Sequence, residues 1–193
     1  MTKSQEDVVR AAIHVLNQKG ASAVSMRTIA DRLGVRMNTV LWHAKSKARL
    51  MELMADAIVA GASLEDLPEH WRDRAAELMR RYRRAMLAHR DGAIVVSGTY
   101  AAEPATLDFA EALVGALLEG GLPEKEAVWT CWSLVYLTLG LTQEEQAQVI
   151  RPLDVGPRPA LQRTTPNLLE ESFDERFEFA VAKLLTADAA SGR

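Results

Sequence analysis

The stretch Ser25-Met26-Arg27-Thr28-Ile29-Ala30-Asp31-Arg32-Leu33-Gly34-Val35-Arg36-Met37-Asn38-Thr39-Val40-Leu41-Trp42-His43-Ala44-Lys45-Ser46-Lys47 decides the fold. It reads as a helix, a glycine turn and a second short helix. Ile29, Ala30 and Leu33 lay an apolar stripe along the first helix. Gly34 supplies the positive φ that ends it, and Val35 and Val40 seat the second helix against the first. Two helices crossing steeply over so short a link bring their backbones close together, which is why the small Ala30 stands at the crossing.

The polar and aromatic side chains of the second helix then fall where a reader of duplex DNA needs them. The major groove of B-DNA admits an α-helix, and base edges are read from near that helix's N-terminus. Arg36 suits a bidentate pair with guanine, and Asn38 suits adenine or a phosphate. Met37 stands between them, and Thr39 offers a hydroxyl to phosphate or a methyl to thymine. Trp42 and His43, at the helix end, fit phosphate contacts, with Trp42 also expected to pack beneath the helix. Lys47 falls in the first turn of the next helix, where its ammonium and the free backbone N–H groups can share a phosphate. Arg27 and Thr28 can hold the opposite phosphate wall. Arg36 to Asn38 are the candidates for sequence choice, and the others contribute affinity.

Charge distribution points the same way. The 193-residue chain carries a net charge of −3. Residues 1–50 hold nine Lys/Arg against three Asp/Glu, a balance of +6, while the remainder holds 14 against 23, a balance of −9. A polyanionic partner therefore belongs at the N-terminal third. Hydrophobic content of 48% with 25% charged residues is that of an ordinary globular protein with a real core. No run of about 18 apolar residues predicts a membrane span. The first residues lack the basic-then-apolar pattern of a signal peptide. One cysteine, Cys131, allows no intrachain disulfide. A cytoplasmic protein without membrane association is expected.

Elsewhere the periodicity is helical almost throughout, so the expected class is all-α. A first helix over 4–19 starts at Ser4, with Glu6 and Asp7 in its first turn. Ser46 caps a longer helix with Leu50, Leu53, Met54, Ala57 and Ile58 at i, i+3, i+4, i+7 and i+8. Gly61 and Pro68 mark a break, giving a three-helix head over 1–45, a connecting helix over 46–62 and a helical body over 63–193. In the body, helices are expected over 69–88 (with Arg80, Arg81, Arg83 and Arg84 on the outer face), from Pro104 to Gly120-Gly121, over 123–149 and over 167–187. Ala93–Val96 reads as helix or strand. Residues 151–166, with Pro152, Pro157, Pro159 and Pro166, read as a loop. The helix over 123–149 is too apolar to face solvent, and the last helix presents Leu168, Leu169, Phe173, Phe177, Phe179, Ala180 and Leu184. Two such helices per chain would form a four-helix homodimer interface about a twofold axis. The operator would then be a palindrome with half-sites about 34–36 Å apart.

The pattern Ser25 to Val35, followed by Thr39-Val-Leu-Trp-His-Ala-Lys-Ser-Lys47, resembles the DNA-binding domain of TetR-family transcriptional repressors. His89-Arg90-Asp91-Gly92-Ala93 and Thr138-Leu139-Gly140 resemble segments of the ligand-binding core of the tetracycline repressors in that family. The resemblance implies an all-α homodimer that releases its operator when a small molecule binds the 63–193 unit, which becomes the ligand-binding and dimerisation domain. Leu41 is a departure, because many relatives place a DNA-contacting aromatic residue there. The implied pocket positions are Leu78, Tyr82, Val96, Thr99, Tyr100, Ala112, Trp132 and Tyr136, with Glu144 near the dimer boundary. Tetracycline repressors carry histidines at the positions matching Val96 and Tyr136, the first holding a metal chelated by the drug. This sequence has neither, so no metal or cofactor is expected and a metal–tetracycline complex is disfavoured as effector.

What remains for a pocket is apolar and aromatic with a few hydroxyls, including Met79, Met86, Trp129 and Cys131, which suits a flat or polyketide-like ligand held by two or three hydrogen bonds. Neither a catalytic Ser/His/Asp set nor a glycine-rich phosphate loop is evident, so an enzyme is not expected. The expected function is a ligand-responsive DNA-binding regulator, most simply a repressor released from a palindromic operator by a small hydrophobic or aromatic effector. An activator on the same fold differs only in promoter geometry. The alternative is a small-molecule binding protein with a vestigial DNA-binding head.

Overall fold

The structure is a computed structural model that describes residues 3–99, 102–147, 154–168 and 172–186. Ten α-helices account for most of it, and the described residues contain no strand. The head comprises α1 (Gln5–Lys19), α2 (Met26–Leu33) and α3 (Met37–Ala44). Helix α1 begins with a reciprocal cap: Ser4 Oγ accepts from the Asp7 N–H at 3.1 Å, and the Asp7 carboxylate accepts from the Ser4 N–H at 3.0 Å. Its inner face of Val8, Ala11, Ala12, Val15 and Leu16 is fully buried against α2 and the next helix.

Helix α4 (Lys47–Val59) leaves the head and enters the body, where it packs on α6 (Gly92–Ser97) and α7 (Pro104–Glu119). Leu50, Met54 and Ile58 are buried as their spacing predicts, but Ala55 and Val59 are buried in place of Leu53 and Ala57, which are half-exposed. The body is completed by α5 (Trp71–Leu87), α8 (Glu124–Ala147), α9 (Pro159–Leu168) and α10 (Phe173–Thr186). Helix α8 lies against α5, α6, α7 and α10, so most of the body packs around it. Among the described residues no helix is long and apolar enough to cross a membrane.

Two expectations are corrected and one alternative is decided. The proline-rich stretch 151–166 is not simply a loop, because Pro159 opens α9: at the first helical position its missing N–H costs nothing. Residues 93–96 are helical, within α6. Arg83 does not join Arg80, Arg81 and Arg84 on an outer face. Helices α8 and α10 cover that side of α5 and bring their acids with them. Arg83 is only 7% exposed and pairs with Glu145 at 2.8 Å and Asp174 at 2.6 Å, its guanidinium 5.2 Å from the Phe177 ring. The other arginines are paired too: Arg80 with Glu178, Arg84 with Glu77, and Arg81 with Glu77 and the carbonyls of Ser63, Glu65 and Asp66.

The head docks on the body at the corner between α5 and α6. Asp91 stands there in the left-handed region (φ 55°), and its carboxylate accepts the Ala21 N–H at 2.7 Å. Gln146 of α8 grips the same corner. Its amide N–H donates to the carbonyls of Met86 and His89, and its carbonyl accepts the Ala93 N–H. Gly92 is required by closeness, since a Cβ there would collide with the Met86 carbonyl oxygen.

Two substitutions test the packing. Arg83→Ala strands the half-buried Glu145 carboxylate and opens a gap beside Phe177, and is expected to lower stability by about 2 kcal/mol in urea unfolding. Gly34 sits at φ 64°, ψ 35° with nothing within 4 Å of an added Cβ, so the penalty of a side chain is conformational. Gly34→Ala should cost about 1 kcal/mol and Gly34→Asn less, since Asn tolerates that region.

Candidate nucleic-acid interface and the cavity behind it

Helix α2 is capped by Ser25, whose Oγ accepts the Thr28 N–H at 3.1 Å and lies 2.7 Å from the Thr28 hydroxyl. Thr28 is thus fixed half-buried at the start of α2, beside an exposed Arg27. The turn closes through Gly34, and the Val35 N–H donates to the Ala30 carbonyl at 3.0 Å. Helix α3 is anchored by the buried Val40 and Ala44, which leaves its other face outward. Arg36, Met37 and Asn38 are exposed at its start. Thr39, Leu41 and His43 are half-buried, and the His43 carbonyl accepts from the Gln5 side chain at 2.9 Å.

Trp42 departs from expectation. It does not pack beneath α3 but projects from it, 73% exposed, with the Lys45 ammonium 4.7 Å from its ring centre. It lies two residues from both Val40 and Ala44, about 200° round the helix and so on the opposite face, and those two already fill the space beneath. The outward face therefore carries an aromatic side chain at Trp42, next to the half-buried Leu41.

The corner after α3 is tight. Lys45 sits at φ 58°, ψ −46°, and the Ser46 N–H donates to the Ala44 carbonyl at 2.6 Å, which is a γ-turn. Ser46 then caps α4, its Oγ accepting the Arg49 N–H at 3.1 Å. Lys47 is exposed in that first turn, close to the free N–H groups of the helix end. Arg27, Arg36, Lys45 and Lys47, all exposed, give the head a cationic outer surface.

Two polar ties hold α4 to the start of α7. Arg49 donates to both carboxylate oxygens of Glu103 and also to Glu52. The hydrogen bonds from Arg49 hold the Glu103 carboxyl below the usual range. Further along α4, Asp56 Oδ1 accepts both the N–H and the hydroxyl of Thr106, at 2.8 and 2.9 Å.

Between these helices lies a cavity of about 640 Å³. Of the expected lining residues, Tyr82, Val96, Thr99, Trp132 and Tyr136 come together on it. Leu78 and Ala112 do not: Leu78 is fully buried in the core, and α7 turns Thr106, Leu107 and Ala110 to the cavity while the half-buried Ala112 packs against the core. Tyr100 lies outside the described residues. Met79 and Met86 are sealed in the core, and Glu144 is exposed 3.9 Å from Arg176. Sequence reading missed Ala55 and Val59 of α4, which form one wall. Their signal was a small–branched pair four residues apart on a helix otherwise lined with Leu and Met. A side chamber of about 200 Å³ shares Val59, Tyr82, Thr106, Ala110, Trp132 and Val135 with the main cavity and is completed by Phe109, Val114, Val128 and Cys131. Burial pushes the Cys131 thiol up to about 11, so it stays neutral. Among the described residues no group of three or more His, Cys, Asp or Glu side chains could hold a metal ion.

The outer side of α8 is apolar and open. Trp129 and Tyr136 are 61% and 64% exposed, with Val128 and Trp132 beside them. On α10 the expected outward set is divided: Phe179 is exposed, Phe177 is buried inside the chain, and Phe173, Ala180 and Leu184 are half-buried. Phe177 turns inward because Arg83 and α5 occupy that side. Leu169 lies outside the described residues.

Comparison with known proteins accords with this architecture. Residues 8–54 match the family described as bacterial regulatory proteins, tetR family, and residues 65–186 match the tetracyclin repressor-like C-terminal domain. The chain is 35% identical over 151 residues to the class A tetracycline repressor protein from transposon 1721 of Escherichia coli, covering 76% of this chain and 69% of that one. It is similar to a crystal structure of a possible TetR family transcriptional regulator from Streptomyces coelicolor A3(2), with 33% identity, a TM-score of 0.83 and coverage of 95% and 98%. It is also similar to BioQ crystallised with its double-stranded DNA operator, with 26% identity, a TM-score of 0.74 and coverage of 95% and 98%. With family models matching both the helix-turn-helix head and the all-α body, the chain belongs to the TetR family of bacterial regulatory proteins.

Proposed function

We propose that this protein is a ligand-responsive transcriptional repressor that binds a palindromic DNA operator as a homodimer and is released by a small hydrophobic or aromatic effector. One observation carries the reading: α4 starts at the corner of the reading helix and ends as a wall of the cavity. Arg36, Met37 and Asn38 would meet base edges, while Arg27, Thr28, Thr39, Leu41, Trp42, His43 and Lys47 would meet the backbone. An effector filling the cavity presses on Ala55 and Val59. Any rotation of α4 that results is delivered to α3 through the corner at Lys45. Effector and operator then oppose each other by the same free energy in both directions.

Dimerisation through the open face of α8 with Phe179 of α10 supports the twofold arrangement that a palindrome requires. The reading includes no catalytic step, and a regulator of this kind acts in the cytoplasm, where the DNA is. DNA in complex with BioQ and the tetracycline named for the class A repressor supply the analogy for the two partners.

Fluorescence anisotropy with a labelled palindromic duplex from upstream of the protein's own gene tests the reading. Arg36→Ala is expected to weaken binding roughly 10- to 100-fold and to relax base preference. Lys47→Ala should weaken all sequences alike and lower the salt slope by about one. Absence of any salt-sensitive binding by the parent protein would refute the repressor.

A further inference from the structure

The polar groups of the cavity are unevenly committed. Ser97 donates its hydroxyl proton to the Ile94 carbonyl, Thr99 to that of Val96, and Thr106 to Asp56. Those hydroxyls can still accept but no longer donate. Tyr82 differs. The residue is only 5% exposed, and its hydroxyl has no hydrogen-bond partner among the described residues. Yet that hydroxyl is not among the buried polar atoms sealed off without a partner, of which the described residues hold only the Arg74 Nε. Tyr82 is a lining residue of these cavities, so a ligand seated there can meet the phenol. Leaving such a phenol unpaired is costly, and a ligand that pairs it recovers the cost.

Position sharpens the point. Tyr82 lines both the main cavity and the side chamber, so it stands at the neck between them, its ring held by stacking on Phe109 with centroids 4.9 Å apart. On the main side, Trp132 and Tyr136 stack on one another with centroids 5.4 Å apart and present flat surface. Among the described residues, no charged side chain lines either space. An ion entering there would lose its hydration without finding a counter-ion.

We propose that the effector is an uncharged aromatic carbonyl compound. Its ring lies against Trp132 and Tyr136, its carbonyl oxygen accepts the Tyr82 hydroxyl, and an apolar substituent of a few carbons beyond that carbonyl enters the side chamber toward Cys131. The proposal rests on the reading of this cavity as the effector site, and it narrows the ligand by charge, by acceptor and by shape.

Prodan, an uncharged dimethylaminonaphthalene carrying a propionyl group, whose emission reports its surroundings, serves as probe with the whole chain. Its acetyl homologue, ethylnaphthalene and the anion anilinonaphthalene sulfonate serve as comparisons. Prodan should bind more tightly than the sulfonate. Tyr82→Phe, which keeps the ring and its packing, should weaken prodan about tenfold and leave ethylnaphthalene unchanged. The parent should prefer prodan over its acetyl homologue by up to about fourfold, the worth of one buried methylene. Cys131→Leu, which takes up part of the side chamber, should erase that preference. Equal prodan affinity in Tyr82→Phe and parent, or tighter binding of the sulfonate, overturns the proposal. A parallel operator titration separates the two readings: failure to bind DNA with the Tyr82 dependence intact refutes the repressor and supports the ligand assignment.

Discussion

The direction of α4 depends on three residues. Ala44 is buried, Lys45 turns the chain with positive φ, and Ser46 caps the next helix, so α3 and α4 meet at an angle with no slack between them. A non-glycine residue in that region is held there at a cost, and the surrounding packing must supply it. The return is rigidity. With Val40 and Ala44 locked into the head core and Leu50 and Met54 locked below, the reading helix has little independent freedom.

The far half of α4 is constrained differently. Its contacts with α7 combine apolar packing at Ala55 and Val59 with the polar tie of Asp56 to Thr106, while Arg49, in the first turn of the same helix, holds Glu103. Thr106 lines the cavity and bonds to α4 at once, so the cavity wall and the tie are the same residue. A ligand that displaces the start of α7 therefore works on α4 through hydrogen bonds with a defined direction, besides the softer push of apolar contact.

Much of this was legible in the sequence because local chemistry determines it. The caps at Ser4 and Ser46, the stop at Gly34 and the apolar stripe of α2 are short-range signals, and each appears where it reads. What escaped depends on neighbours that periodicity does not reveal. Arg83 looks like its three companions until α8 and α10 bring Glu145 and Asp174 to it. Trp42 looks like a residue to be covered until Val40 and Ala44 have already filled the space. Leu107 is turned toward the body, but it faces an open cavity there and stays exposed, which its helical spacing alone does not reveal. Pro159 was read as a breaker, although at a helix start it is a favourable residue.

The amide of Gln146 gives the corner between α5 and α6 a peculiar economy. Helix ends ordinarily recruit a side chain from their own flanks, and Asp91, at the head of α6, is the residue placed for that task; yet it makes no such bond. Because Gln146 arrives from α8 and satisfies the Met86 and His89 carbonyls together with the Ala93 N–H, the Asp91 carboxylate is released from local duty. It reaches outward instead, to the backbone of Ala21. A borrowed cap thus lets the body spend its own carboxylate as a fastening on the domain next door.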